Sequence, residues 1–531
     1  MRRIVSRLPA LLLVLTVARA AALSAQSAPP SPPVSLVVVI VVDQMRGDYV
    51  DRFAVQLTGG LARLTREGAV FAQGYQDHGM AETAPGHATV GSGRNPASTG
   101  IVRNSEGVPD SSSPLLEVIG PGASPRRFRG TTLFDWMQAR WPESRALSVS
   151  RKDRGAILPV GHSRQQVFWY QSGQFTTSRY YMDALPDWVQ RFNQMAVGAR
   201  TPGRVWDLLL PASSYSEPDS ADYENRGRDF TFPHRLPMDS AAAATAFINT
   251  PFIDSLTLAL ALEGVSRTGV GNSADHPDLL VISLSATDYV GHAYGPDSRE
   301  QHDNILRLDR QLGMFLDSLA KLRDMRRVVL ALTADHGVTS YPEYSNAHGD
   351  QHAQWVSPFG FVRGYRADLE RVAGPGAWIR FFELGLLVMD RAGLAARGVN
   401  VDSVVGRMAG ELRRLAPVRE VDTRQDLMAR DTATDWIARR WLNTVPPDLP
   451  VELMVTLKPR MSWGIPGSSA EHGQPTDDDT HVEYLLWGNA VRPGRYTSRV
   501  SVVDIAPTLA HVLGINPLEP VQGRVLREAL R

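Results

Sequence analysis

A chain of 531 residues with 43% hydrophobic and 21% charged side chains has the make-up of a globular protein with a large core, long enough for two or three domains. Lys and Arg total 56 and Asp and Glu total 56, so no net charge favours nucleic acid or an anionic membrane as partner. Cysteine is absent, which excludes disulfide frameworks and thiolate chemistry and leaves any metal to histidines and carboxylates.

In chain order, Arg2, Arg3 and Arg7 precede an apolar run from Leu8 to Ala18, and small residues follow to Ala25. That layout predicts a signal peptide over 1–25, too short for a comfortable membrane span; an uncleaved anchor is the alternative. Residues 26–33, QSAPPSPP, read as a disordered spacer. The working protein is expected to be periplasmic or secreted and to begin near Val34, with no stable span in its mature form.

Four apolar runs then end on polar residues. VSLVVVIVVD closes on Asp43, RALSVSRKDRG on Lys152 and Arg154, DLLVISLSATD on Asp288, and RRVVLALTADHG on Asp335 and His336. Helical patterns lie between them, at Leu115–Ile119, Thr132–Arg140 and Gln301–Leu322. Continuous β-branched runs alternating with helices predict an α/β fold with a mostly parallel central sheet and helices on both faces. Ligands of such sheets sit at the carboxyl ends of the strands, where these polar residues fall. Residues 160–250, rich in Tyr, Trp, Ser and Pro, and 365–460, with a helix Val401–Leu415 and a short strand VREV, read as insertions capping one edge of the sheet. Separate domains are the alternative. No fixed-period repeat is present.

The strand-end groups form a candidate metal set. Asp288 and His292, four apart in DYVGH, share one side of a helical turn. Asp335 and His336 leave a strand together, Asp43 adds a carboxylate, and His472 lies in a Gly-flanked loop. Mixed Asp/His sets suit zinc or a similar divalent ion, and there are enough for two. His481 competes with His472 as the last ligand, although its place at the start of a strand-like segment favours a supporting role. His78, His87, His162, His234, His276, His302, His348, His352 and His511 read as ordinary structural or surface histidines. Thr83 reads as the N-cap of a helix with Pro85 in its first turn. Such a terminus also attracts anions, and a threonine hydroxyl beside a divalent ion can act as a nucleophile toward a phosphate. Small residues Gly86, Ala88, Gly91 and Gly93 would let that helix lie tightly under the sheet edge. Lys152 and Arg154, on alternate positions after a strand, could hold phosphoryl oxygens, with Asn104 donating one more hydrogen bond.

Taken together, VVDQMRGD, ETAPGHATVGSGRNPASTGIVRN, SRKDRGAILPVGH, SATDYVGHAYGP, TADHGV and EHG with DTHVEYLLWG resemble the alkaline phosphatase superfamily. The type I phosphodiesterase/nucleotide pyrophosphatase branch is nearest, and within it the phosphate-irrepressible periplasmic alkaline phosphatases. The closing SVVDIAPTLAHVLGINP is similar to a segment shared with sulfatases, so the resemblance runs from Val34 to the end. It implies an alkaline-phosphatase-like catalytic domain over 34–531 and two Zn²⁺ ions, one held by Asp288, His292 and His472, the other by Asp43, Asp335 and His336 beside the nucleophile Thr83. It also implies phosphate contacts from Asn104, Lys152 and Arg154, and phosphate-ester small molecules as substrates. Two cations beyond the metals favour a monoester dianion. A phosphodiesterase or nucleotide pyrophosphatase is the alternative, and its aromatic wall could come from the stretch at 160–250. A metal-stabilised binding module would not need Thr83, and sulfatases use a modified Cys or Ser.

Overall fold

A computed structural model of the chain describes residues 33–196 and 202–531. The expected signal peptide at 1–25 and all but the last residue of the spacer lie outside the described residues. The main sheet has nine strands: β1 (Leu36–Val42), β2 (Ala69–Phe71), β3 (Ala146–Ser150), β4 (Gln166–Gln171), β5 (Gln174–Thr176), β6 (Asp278–Leu284), β7 (Val328–Thr333), β8 (Tyr484–Gly488) and β9 (Gly494–Tyr496). Their spatial order is β9-β2-β8-β7-β1-β6-β3-β4-β5. The five strands from β7 to β4 run parallel, whereas β8 pairs antiparallel with β7.

Every residue of β1, β3, β6 and β7 is buried, as expected of parallel strands covered on both faces. Helices α1 (Thr83–Ser92), α2 (Asp153–Ile157), α3 (Phe252–Thr268), α4 (Ala286–Tyr294) and α5 (Arg299–Leu322) supply much of the cover. α3 packs on β3, β6 and α5. The register pairs Val41 of β1 with Ser283 of β6 and Thr333 of β7, so these three strands end level with one another. Among the described residues no single helix is long and apolar enough to cross a membrane.

Two sequence readings change. Leu115–Ile119 is not a helix: Leu115 bridges Ser178 and the Leu116 N–H donates to the Thr177 carbonyl, after which the chain bends with a left-handed φ at Glu117 (60°) between Pro114 and Pro121. Part of the stretch at 160–250 is not a cap, because β4 and β5 form an edge hairpin of the main sheet. Its two-residue turn takes left-handed φ at Ser172 (50°) and Gly173 (91°). The other insertion holds an antiparallel four-stranded sheet, in the order Ile379–Glu383, Leu386–Met389, Val451–Leu457, Val418–Asp422. It has its own apolar core, including Leu369, Met408, Leu412 and Leu453.

Candidate active site

Level strand ends bring the carboxylates together. Asp43 follows β1, and its N–H donates to the Leu284 carbonyl at the end of β6 (2.8 Å). Asp288 sits in the first turn of α4, which Asp254 of α3 holds by accepting from the Ser285 and Ala286 N–H groups (2.9 and 3.0 Å). Asp335 and His336 follow β7, and all of these groups are buried. Each candidate histidine sets its Nδ1 against a backbone carbonyl: His292 on Ala470 (2.5 Å), His336 on Gly337 (2.9 Å) and His472 on Ala81 (2.6 Å). A proton on Nδ1 satisfies that contact and directs Nε2 toward the carboxylates. His292 Nε2 lies 3.2 Å and His472 Nε2 3.8 Å from Asp288 Oδ1, and His336 Nε2 lies 3.4 Å from Asp43 Oδ1.

Two groups of ligand atoms result, each within 4.8 Å: Asp288, His292 and His472, and Asp43, Asp288 and His336. Asp288 is common to both. Asp335 stands at the rim of the second group, because its Oδ1 accepts from the N–H groups of Gln44 (3.1 Å) and His336 (3.0 Å). Oδ1 of Asp43 and Nε2 of His336 are buried without a hydrogen-bond partner, while Asp43 Oδ2 is met by Lys152 Nζ at 2.5 Å and Asp335 Oδ2 by His87 Nδ1 at 3.2 Å. Unpartnered buried oxygen and imidazole nitrogen atoms of this kind fit divalent-cation binding. His481 plays no part: it stacks on Tyr75, and its Nε2 faces the Ala72 carbonyl at 3.1 Å.

Thr83 is the first residue of α1, and the N-cap is Glu82, one residue earlier than the sequence reading. Of the first-turn N–H groups, that of Ala84 donates to Asn104 Oδ1 (2.8 Å), that of Gly86 to the Glu82 carbonyl (3.0 Å), and Pro85 has none. The helix end therefore offers an anion little more than the N–H of Thr83. Gly86 allows α1 to touch the Asp335 backbone, since a Cβ there would stand 2.3 Å from the Asp335 carbonyl oxygen. Lys152 and Arg154 lie not on a strand continuation but at the start of α2, with Lys152 as its N-cap. The Lys152 ammonium is buried, 2.5 Å from Asp43 Oδ2, 2.6 Å from Asp288 Oδ2 and 3.3 Å from Thr83 Oγ1. Arg154 is partly exposed, with Nη1 3.6 Å from Asp153 Oδ1.

The polypeptide's own charges are strongly coupled here. Burial, with Asp288 and Asp335 nearby, pushes the Asp43 carboxyl up. Burial opposes ionisation of Asp288 as well, but Lys152 and His292 outweigh it and hold this group well below the usual carboxylate range. Burial also disfavours the charged forms of His336 and His292. Asp335 and Asp43 beside His336, and Asp288 beside His292, nevertheless raise each to about 9. His472 is pushed well down by burial and by those two rings. Three buried carboxylates face one ammonium, so His292 and His336 are drawn toward their charged forms, a compensation that bound cations would replace.

Three residues that sequence reasoning passed over also sit here. His87, one turn after Thr83, places Nδ1 3.2 Å from Asp335 Oδ2 and Nε2 2.8 Å from Ser283 Oγ. Its i+4 spacing from Thr83 was the available signal. Gln44 Nε2 donates to Asp288 Oδ1 (3.1 Å). Glu82 is raised to about 7 by burial and accepts from the Asn104 N–H (2.8 Å). Conversely, Phe168, Trp169, Tyr170 and Trp188 from the aromatic stretch are buried in the core and give the site no wall.

Residues 37–410 match the family model for type I phosphodiesterase / nucleotide pyrophosphatase. The chain is 31% identical over 520 residues to alkaline phosphatase PhoK of Sphingomonas sp., covering 92% of this chain and 90% of that protein. It is 29% identical over 521 residues to alkaline phosphatase PafA of Elizabethkingia meningoseptica, covering 93% and 94%. The crystal structure of wild-type PafA superposes with a TM-score of 0.87 at 28% identity, covering 94% of this chain and 99% of that one.

Proposed function

The chain belongs to the type I phosphodiesterase / nucleotide pyrophosphatase family, and on that premise we propose that it is a zinc-dependent alkaline phosphomonoesterase working through a phosphothreonine on Thr83. Asp288, His292 and His472 would hold one zinc ion, and Asp43, Asp335 and His336 the other, beside Thr83. Bound there, the two ions would acidify the attacking hydroxyl and neutralise charge on the phosphoryl oxygens. Thr83 Oγ1 attacks phosphorus in line, the ester P–O bond breaks, and the alcohol leaves with its proton. Water then attacks the phosphothreonine from the vacated side, releasing phosphate and restoring Thr83. Lys152 and Arg154 hold the non-bridging oxygens, Lys152 as a point charge and Arg154 as a fork. Asn104 has committed its Oδ1 to Ala84, which leaves its amide N–H₂ to donate to a phosphoryl oxygen. The first 25 residues support export to the periplasm or beyond.

One observation carries the monoester reading: a buried ammonium 3.3 Å from the Thr83 hydroxyl, where the second negative charge of a monoester would fall. Phosphate diesters carry one charge less and gain less from it. The test compares an aryl phosphate with its diester in wild type, Lys152→Ala and Thr83→Ala. Lys152→Ala should lower monoester turnover far more than diester turnover. Thr83→Ala should lose on the order of 10³-fold or more in kcat while still binding phosphate. A wild type that prefers the diester refutes the role given to Lys152.

A further inference from the structure

The hairpin joining Ile379–Glu383 to Leu386–Met389 belongs to the small sheet, yet its tip lies against two loops of the site. On one side it grips Arg103, the residue before Asn104. The Arg103 guanidinium sits 3.6 Å from the centre of the Phe381 ring, and its Nη1 donates to Glu383 Oε2 at 2.5 Å. Its Nη2 donates to Glu106 Oε1 at 2.7 Å, so the short turn carrying Asn104 is tied at both ends. On the other side Leu384 covers Gly473, where a Cβ would stand 2.3 Å from Leu384 Cδ1. Gln474 Nε2 donates to the Leu384 carbonyl at 3.4 Å. The turn takes left-handed φ at Leu384 (47°) and Gly385 (98°), which lets it end tightly between the two loops.

We propose that this tip, Phe381 to Gly385, is a positioning element of the active site: through Arg103 it fixes Asn104 over Thr83, and through Leu384 it holds down the His472 loop. A ring face and a charge-assisted hydrogen bond together fix both the tilt and the direction of a guanidinium, and the adjoining Asn104 backbone shares that constraint. The Asn104 side chain in turn clasps the Ala84 N–H, next to the nucleophile. The small sheet thereby becomes part of the phosphate-binding apparatus. This inference rests on the reading of Asn104 as a phosphate contact.

The test is a double-mutant cycle on the full-length, zinc-loaded protein with an aryl phosphate, using Glu383→Ala and Phe381→Leu, each alone and with Asn104→Ala. Each single hairpin change should lower kcat/KM about tenfold and weaken competitive inhibition by inorganic phosphate. Glu383→Gln, which keeps the acceptor, should retain most activity. In the Asn104→Ala background the hairpin changes should cost nothing further, a non-additivity that a loss of general stability does not produce. Full additivity, or an unchanged kcat/KM in Glu383→Ala, overturns the inference. A silent Asn104→Ala would instead overturn the assignment of Asn104, and the inference with it.

Discussion

Gly86→Ala tests whether helix contact sets the position of the nucleophile. The added methyl would stand 2.3 Å from the Asp335 carbonyl oxygen, 2.6 Å from its Cβ and 2.7 Å from its Cα. Non-bonded atoms settle at about 3.5 Å, so α1 and the Asp335 loop must separate by about 1 Å. Neither side yields easily. Asp335 is pinned by two N–H groups, and at the far end of α1 a Cβ on Gly91 would already meet the Pro159 carbonyl oxygen at 2.6 Å. Overpacking of this kind costs about 1–3 kcal/mol of stability. Displacing Thr83 by about 1 Å costs about 100-fold in kcat/KM, equivalent to about 2.7 kcal/mol of transition-state stabilisation. The assay is kcat/KM on an aryl phosphate, with zinc content and thermal midpoint measured on the same sample. A folded, zinc-loaded variant with wild-type kcat/KM refutes the argument that Gly86 places Thr83.

Removing divalent ions with a chelator should abolish turnover and lower the thermal midpoint, since Asp43, Asp288 and Asp335 then repel one another. Zinc at about 1,000 times its Kd should restore about 4 kcal/mol, and an unchanged midpoint after verified metal removal refutes the site. Glu483 is buried, accepts from the Val50 N–H (2.8 Å), and is raised to about 8 chiefly by that burial. The folded state therefore holds this proton more tightly than the unfolded chain, and the stabilisation is complete below pH 4.5 and lost as pH rises to about 8. Denaturation midpoints measured from pH 5 to 8 should fall less steeply in Glu483→Gln than in wild type; parallel slopes refute the assignment. Gly406 lies inside the helix Val401–Leu412, and a methyl added there would meet nothing within 4 Å, so Gly406→Ala should stabilise by about 0.5–1 kcal/mol in chemical denaturation without touching kcat.

The parallel sheet was legible because strands buried on both faces must be continuously apolar, and VSLVVVIVVD, DLLVISL and RRVVLALT are. Knowing the strands placed their ends, and the ends carried Asp43, Asp288, Asp335 and His336 to one edge. Side-chain rotation was not legible. Whether Asp288 or Asp335 enters the second group depends on which oxygen meets the Gln44 N–H, a contact spanning 291 residues. His87 was missed for a related reason, since its meaning depends on α1 lying against the loop after β7. The capping position slipped from Glu82 to Thr83 because glutamate is an uncommon cap. The β4–β5 hairpin was not legible because its Ser172-Gly173 turn lies inside an aromatic run without clean apolar–polar alternation.

The contact between His472 and the Ala81 carbonyl closes a loop of 391 residues, and β1 finds its neighbours β6 and β7 only after more than half the chain has been made. A polypeptide still on the ribosome thus carries Thr83 and Asp43 early but no competent centre. His292 and His336 can meet their carboxylates once β7 is made, but His472 joins them much later. Truncation near the carboxyl end should for that reason silence chemistry whose nucleophile lies near the amino end, and such long-range closure slows folding relative to chains built from local contacts.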